Sequence, residues 1–207
     1  MARRDHTLDD RITVAAMEEF SSKGYTNASL RKIAEKAGVT VGAIQIRYKS
    51  KDELFTSLLR PLLDAIEATF ASVRAEYYSG AEADILSQLK TSMERESAAI
   101  LHLIFDRYDE TVLLYKSAGS SLEHYFDMLV QRKIDESAAF FRAVGYAGVD
   151  ETLLGLLISV QFDCYRRIIA LCRDRESAER SMDTLMTYHF GGWTAIFNSA
   201  NHEREDI

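Results

Sequence analysis

Gln45 and Arg47 stand two positions apart within the short stretch Val41–Arg47, and each carries a side chain that makes paired hydrogen bonds. A glutamine amide matches the N6 and N7 edge of adenine, and a guanidinium clamps a phosphate or the edge of guanine. Both sit in a basic region. Residues 1–51 hold ten Lys and Arg against six Asp and Glu, a net charge of +4, so that with −7 for the whole chain the remaining residues carry −11. A basic head on an acidic body draws phosphates to one end, while the other end stays soluble and repels nucleic acid.

Other chemistry lacks its parts. The histidines His6, His102, His124, His189 and His202 have no metal-ligand spacing with one another or with the cysteines. The chain also has no HExxH, no glycine-rich phosphate loop and no nucleophile elbow. No catalytic residue, metal or cofactor is therefore expected. His102 and His124 could meet in space, but a structural role suits each better. Cys164 and Cys172 lie eight apart in one helical pattern, about 12 Å along a helix axis, too far for a direct bridge. They are expected to be buried thiols.

The elements that position Gln45 and Arg47 are short and well punctuated. Thr7 is an N-cap candidate, with Asp9 and Asp10 in the first turn behind it. Ile12, Ala15, Ala16 and Phe20 then recur at helical spacing up to Lys23 and Gly24. Ser29 would cap a second helix with an inner face of Leu30, Ile33, Ala34 and Ala37, stopped by Gly38. Thr40 would cap a third. Two short helices joined at a glycine turn make a helix-turn-helix. Ser50 would cap a long amphipathic segment through Leu54, Phe55, Leu58, Leu59, Leu62, Leu63, Ile66 and Phe70 to about Tyr78, in which Pro61 should kink or break the helix.

One proline and ten glycines in 207 residues leave little punctuation for strands, so the fold class is all-α. Ser79 and Gly80 read as a joint. Helical patterns follow over about 83–107, 110–143, 151–173 and 176–198, with Gly119 interrupting the second and Gly145–Gly148 forming a loop. They suit a helical bundle. The expected organisation is a DNA-binding domain over 1–50, extended by a linking helix 51–78, and a second domain over 79–207. No signal segment opens the chain, and the longest apolar stretch, Leu153–Val160, falls short of the roughly 20 residues that a bilayer needs. A cytoplasmic location without membrane contact is expected.

The run Ser29-Leu30-Arg31-Lys32-Ile33-Ala34-Glu35-Lys36-Ala37-Gly38-Val39-Thr40-Val41-Gly42-Ala43-Ile44, with Tyr48-Lys49-Ser50-Lys51-Asp52-Glu53-Leu54-Phe55 after it, resembles the signature of tetracycline-repressor-type DNA-binding domains. Phe20–Thr26 matches the exit of that family's first helix, so the resemblance spans about residues 8–60. It departs where the family commonly has tyrosine and this chain has Gln45, and where the family has histidine or tyrosine and this chain has Arg47. The resemblance implies a three-helix DNA-binding head, about nine helices in all, and a two-fold dimer.

It further implies that Thr40, Val41, Ala43, Gln45 and Ile46 face the major groove, with Gln45 as the principal base reader. Arg47, Lys49 and Lys51 would meet phosphates, Ser29 and Lys32 the DNA backbone, and Arg3 and Arg4 would form a flexible arm. Gly42 and Tyr48 also fall in the motif, with structural roles: a close backbone approach, and packing between the third and fourth helices. By the same analogy the last two helices form the dimer surface, through Leu153, Leu157, Val160, Leu171, Leu185, Tyr188, Gly191, Gly192 and Ile196; a core within one chain would explain these residues equally.

Aromatic enrichment of the body suggests a pocket for an unidentified small-molecule effector. Its candidate residues are Phe105, Tyr108, Tyr115, Tyr125, Phe126, Phe162 and Tyr165, with His102 and Gln161 as polar contacts. The implied function is a dimeric repressor that leaves a palindromic double-stranded DNA operator when the effector binds. An activator or protein-responsive regulator, and a helical interaction module without DNA binding, are the other readings.

Overall fold

The computed structural model describes residues 6–77, 85–143, 150–172 and 174–205. The described residues form nine helices and no strand: α1 His6–Asn27, α2 Leu30–Ala37, α3 Val41–Arg47, α4 Lys51–Tyr77, α5 Ile85–Asp106, α6 Tyr108–Leu114, α7 Tyr125–Ala143, α8 Glu151–Leu171 and α9 Arg175–Glu205. They divide into two compact units. The first takes the chain to Glu67 and adds Arg107–Tyr125; the second takes Ala68–Asp106 and everything from Phe126 on.

In the first unit, Ile12, Ala16 and Phe20 of α1, Ile33 of α2, Ile44 of α3 and Leu54, Phe55 and Leu59 of α4 are all wholly buried. Each large side chain contributes about 1.5–3 kcal/mol by leaving water. Helical conformation breaks at Gly24, where φ is +70° and ψ 168°. Tyr25 then folds its ring toward Phe20 and Phe55, with centroids 6.1 and 5.0 Å away. Gly38 ends α2 at φ +64°, a left-handed position that suits glycine, and Val39 N donates to Ala34 O at 2.9 Å behind it.

The first unit recruits a segment from far along the chain. Tyr25 N donates to Lys116 O at 3.0 Å, Thr26 Oγ1 to Ala118 O at 2.6 Å, and Ser121 N to Asp52 Oδ1 at 2.9 Å. The helical pattern over 110–143 is accordingly interrupted around Gly119, as expected, and forms two helices, α6 and α7. The chain leaves helix at Tyr115, and Gly119 at φ +85° sits in the turns between them.

Three expectations are corrected. Helix α4 runs unbroken through Pro61, which is exposed, so the carbonyl that loses its donor is at a solvated surface. The first helix already includes His6, placing Thr7 inside it rather than at its cap. The last helix continues past residue 198 to Glu205. The glycine loop of 145–148 and the joint at Ser79 and Gly80 lie outside the described residues.

In the second unit, α9 packs on α5 and α8. Leu154, Ile158, Tyr165 and Ile169 of α8 and Ala178, Met182, Met186, Trp193 and Phe197 of α9 recur at three- and four-residue spacing and are buried, joined by Met93, Leu101, Ala138, Phe140 and Phe141. Cys164 and Cys172 are free and half-buried rather than buried, and Cys172 Sγ lies 3.6 Å from Ser181 Oγ. Asp150 caps α8, its carboxylate accepting from Leu153 N at 2.8 Å. No helix among the described residues is long and apolar enough to cross a membrane.

Candidate nucleic-acid interface

Helix α3 is anchored at three points and bare on one face. Thr40 Oγ1 accepts from Ala43 N at 3.1 Å, which settles one of the orphan amides of the first turn. Ile44 points inward and is wholly buried. Arg47 turns back, its Nε donating to Asp9 Oδ1 at 2.5 Å and its Nη1 to Ala43 O at 3.3 Å, with only 17% of the side chain exposed. Gly42, Gln45 and Ile46, related by helical spacing of three and four, are exposed, and so is Lys49 beyond the end of α3. Ile46 is 85% exposed, which a helix of this unit has no internal reason to tolerate. Val41 and Ala43 flank that face half-buried, and Tyr48 is half-buried after α3.

The close approach of backbone expected at Gly42 does not occur within the chain. A Cβ built on it would find only Thr40 Oγ1, at 3.8 Å.

Two phosphate candidates have internal work. Lys51 Nζ donates to Tyr25 O at 2.9 Å, Thr26 O at 3.3 Å and Ala28 O at 3.2 Å, and lies 4.4 Å from the Tyr25 ring centroid. It closes the carbonyl end of α1, where a cation is favoured. Arg47 ties α3 to α1 through Asp9. Both groups are drawn inward because burying Tyr25 and the α1–α3 junction leaves carbonyls and a carboxylate that need donors.

Sequence reasoning overlooked Arg11, whose guanidinium donates to Ala37 O and, at 3.1 Å, to Gly38 O, closing the end of α2. The signal is a basic residue on an amphipathic helix, indistinguishable in sequence from a solvated one. Ser29 occupies the cap position of α2 with extended backbone but makes no side-chain cap bond. Lys32 is exposed and pairs with Glu35 at 2.9 Å, which holds the Glu35 carboxyl below its ordinary value. Arg31, on the same helix, and Lys49 are exposed. Ser50 Oγ accepts from Glu53 N at 3.0 Å while the Glu53 carboxylate accepts from Lys49 N at 2.7 Å, a reciprocal cap that fixes the turn between α3 and α4. Arg3 and Arg4 lie outside the described residues.

The pocket candidates are largely dispersed. Tyr108, Tyr115 and Tyr125 belong to the first unit, and Tyr108 is 44% exposed. His102 is exposed on α5, where Arg175 bonds its ring. Phe105 and Phe162 pack against the apolar core of the second unit, and Tyr165 is buried in it, its hydroxyl joined to Gln161 Nε2 and to Met186 Sδ at 3.7 Å. Phe126, also in the second unit, is half-buried. One cavity of that unit is lined from α4, α5, α7, α8 and α9 and takes Gln161 of the candidates, while another, between α5 and α9, takes His102. Aromatic content marks the core as readily as a pocket.

The dimer candidates divide by burial. Leu153, Val160, Leu171 and Tyr188 are exposed, with Leu171 at 78% and Tyr188 at 75%. Leu156, which sequence reasoning passed over, is 60% exposed on the same helix. Gly191 and Gly192 are exposed, with nothing within 4 Å of an added Cβ. Leu157, Leu185 and Ile196 pack against the core of their own unit, so the intrachain reading holds for those three.

Residues 12–58 match the family described as "Bacterial regulatory proteins, tetR family". The chain is 30% identical over 113 residues to the HTH-type transcriptional regulator AcrR of Shigella flexneri, a match that covers 50% of this chain and 48% of that protein. It spans about half the length of the curated relatives it matches. Among solved structures it shares its fold with a TetR-like transcriptional regulator from Rhodococcus sp. RHA1, at a TM-score of 0.63 and 17% identity, over 93% of this chain and 99% of that one. NalD of Pseudomonas aeruginosa, described as the secondary repressor of the MexAB-OprM multidrug efflux pump, has a TM-score of 0.58 and 24% identity over 90% of this chain and 96% of its own.

Proposed function

We propose that the chain, whose residues 12–58 match the tetR family of bacterial regulatory proteins, is a sequence-specific DNA-binding repressor that works as a homodimer and is released by a small-molecule effector. The observation that carries this reading is the outward face of α3. A seven-residue helix, capped by Thr40 and tied down by Ile44 and Arg47, leaves Gly42, Gln45 and Ile46 to solvent in a basic segment, with Lys49 exposed just beyond its end. That is the arrangement a recognition helix needs, with a rigid inner side and a bare outer side.

In this reading Gln45 and Ile46 meet base edges, the amide pairing with adenine and the isoleucine packing on a thymine methyl. Thr40, Val41 and Ala43 line the same approach, and Gly42 lets a phosphate or sugar come close. Lys49, Lys32, Ser29 and Arg31 serve the DNA backbone, joined by Arg3 and Arg4 of the arm. Lys51 has no part in binding DNA, and Arg47 acts by holding α3 against α1. Repression is the role described for NalD, and it is carried to this chain as part of the proposal.

The first unit serves as the DNA-binding head and the second as the sensing and pairing body. Leu153, Leu156, Val160, Leu171 and Tyr188 present apolar surface on α8 and α9 that a two-fold partner would cover with the same residues. No catalytic role is assigned to any residue, and the site of action is the cytoplasm, where the operator is.

Selection of sites from random duplex DNA tests the proposal. Wild type should enrich a palindrome, and Gln45→Ala with Ile46→Ala should lose or alter it while melting like wild type. Binding should weaken steeply as salt rises. Enrichment of the same palindrome by the variant would remove α3 from recognition, and no enrichment by a folded dimer would end the regulator reading.

A further inference from the structure

Helix α3 carries one charged residue, Arg47, and the fold turns that charge largely away from solvent. Its Nε donates to Asp9 Oδ1 at 2.5 Å and its Nη1 to Ala43 O at 3.3 Å, and the side chains of the ion pair are only 17% and 16% exposed. Asp9 stands in the first turn of α1, 38 residues before its partner. The backbone of α3 packs on α2, so this bond ties the last residue of α3 to a second helix. Thr40 fixes the other end of α3 through its bond from Ala43 N.

The pairing has two consequences for an anionic partner. With Arg47 neutralised, α3 presents Gly42, Gln45 and Ile46, a face without charge. Such a face gains from base edges rather than phosphates, and base edges differ with sequence whereas phosphates do not. Attraction to the DNA backbone then falls to cations outside α3, among them Arg31, Lys32 and Lys49, all exposed. The guanidinium, for its part, has little to gain by leaving. Carboxylate and phosphate both take charge-assisted bonds from arginine, and its departure removes the cation from a mostly buried carboxylate beside anionic DNA.

We propose that Asp9 is a positioning residue that sets the sequence specificity of α3: it withholds the Arg47 charge from phosphates and fixes the helix so that base contacts, through Gln45 and Ile46, decide where it binds. The inference rests on the DNA-binding reading. Without Asp9, Arg47 reaches a phosphate on any sequence while α3 loosens over the bases. Affinity for random duplex rises as discrimination falls.

The full-length protein is titrated by fluorescence anisotropy with two labelled duplexes, the operator selected by wild type and a random sequence, between about 50 and 200 mM salt. Asp9→Ala should bind the random duplex more tightly than wild type at the lower salt. One added phosphate contact should deepen the fall in affinity over that range by about 3.5-fold. Preference for the operator should drop about fivefold or more, the discrimination of one paired base contact. Adding Arg47→Gln to Asp9→Ala should return the salt dependence to that of wild type, because the freed cation is gone, without restoring the preference. Asp10→Ala, which removes an exposed carboxylate from the same turn, should leave both readouts as in wild type. A mere loss of folding lowers affinity for both duplexes and does not steepen the salt dependence.

An Asp9→Ala protein that keeps either the wild-type salt dependence or the wild-type preference overturns the proposal. So does a steepening that survives Arg47→Gln or is matched by Asp10→Ala. If Asp9→Ala fails to fold by circular dichroism, Arg47→Gln alone decides: its salt dependence should match wild type, and one shallower by about 3.5-fold places Arg47 on a phosphate and overturns the proposal. Wild type that binds neither duplex ends the regulator reading and this inference with it, whereas an operator-selective wild type with variants that behave like it ends the inference only.

Discussion

Lys51→Met separates two roles for one ammonium group. The substitution keeps the aliphatic stem and removes the charge that bonds Tyr25 O, Thr26 O and Ala28 O at 2.9–3.3 Å and lies 4.4 Å from the Tyr25 ring centroid. A hydrogen bond from a charged donor contributes about 1.5–3 kcal/mol. The three share one half-buried ammonium, and their carbonyls regain water, so together they are valued as one such bond. The cation over the ring adds about 0.5–1 kcal/mol at a partly exposed site. The loss should be about 2–4 kcal/mol, or a fall in Tm of roughly 4–16 °C for a chain of this size. Thermal melts followed by far-UV circular dichroism measure it. Operator affinity is then determined at several salt concentrations, well below the melt. Were Lys51 bound to a phosphate, its removal would flatten the slope of log K against log salt by about 0.9, whereas a structural lysine leaves it unchanged. Wild-type stability with a flattened slope would refute the reasoning and return Lys51 to the DNA.

Gly42→Ala should leave the fold intact or stabilise it by up to about 1 kcal/mol, since an added Cβ meets nothing closer than 3.8 Å, and should weaken operator binding. Unchanged operator affinity would show that no DNA group approaches that backbone. Gly119→Ala forces φ +85° on a residue with a Cβ and drives that atom to 2.8 Å from Thr26 Oγ1, so urea melts should show a loss of about 1–3 kcal/mol; a wild-type midpoint would contradict it. His189 is 8% exposed, its Nε2 has no partner, and burial holds its pKa below the ordinary 6.5. The unfolded chain therefore takes up a proton that the folded chain resists. Stability should fall with pH from 6.5 down to the lowered value, and His189→Leu should remove that component in urea melts at about pH 7.5 and 5. The same pH dependence in both proteins would clear His189 of any part in it.

What the sequence carried was local. Thr40 and Gly38 were legible because a cap acts within four residues, and each sits where its side chain or its φ is required. Ser29 obeyed the same rule in position but not in bonding. The intrachain partners of Lys51, Arg11 and Arg47 were not legible because they lie 23 to 38 residues away, and nothing in a basic residue's neighbours says which group it will find. Glu96 is the extreme case. On α5 it reads as one more solvated acid, and only the packing of α7, α8 and α9 around it turns it into a buried charge. The aromatic residues failed in the other direction, since Tyr108 and Phe105 sit three apart in sequence but fall in different units.

Glu96 also bears on how a ligand in the second unit could reach DNA. Its helix, α5, runs directly into residues 107–125, and α7, which carries Lys133, runs directly out of them. The ion pair therefore ties together the two helices that hold this segment at either end. The segment itself is bonded to α1 through Lys116 and Ala118 and to α4 through Ser121 and Asp52. Lys133→Met breaks that pair. If the tie matters to DNA binding, operator affinity of Lys133→Met should differ from wild type while circular dichroism shows the same fold, and the pair and α3 are then parts of one equilibrium. Operator affinity unmoved by the substitution would leave the Glu96–Lys133 pair a feature of the core alone.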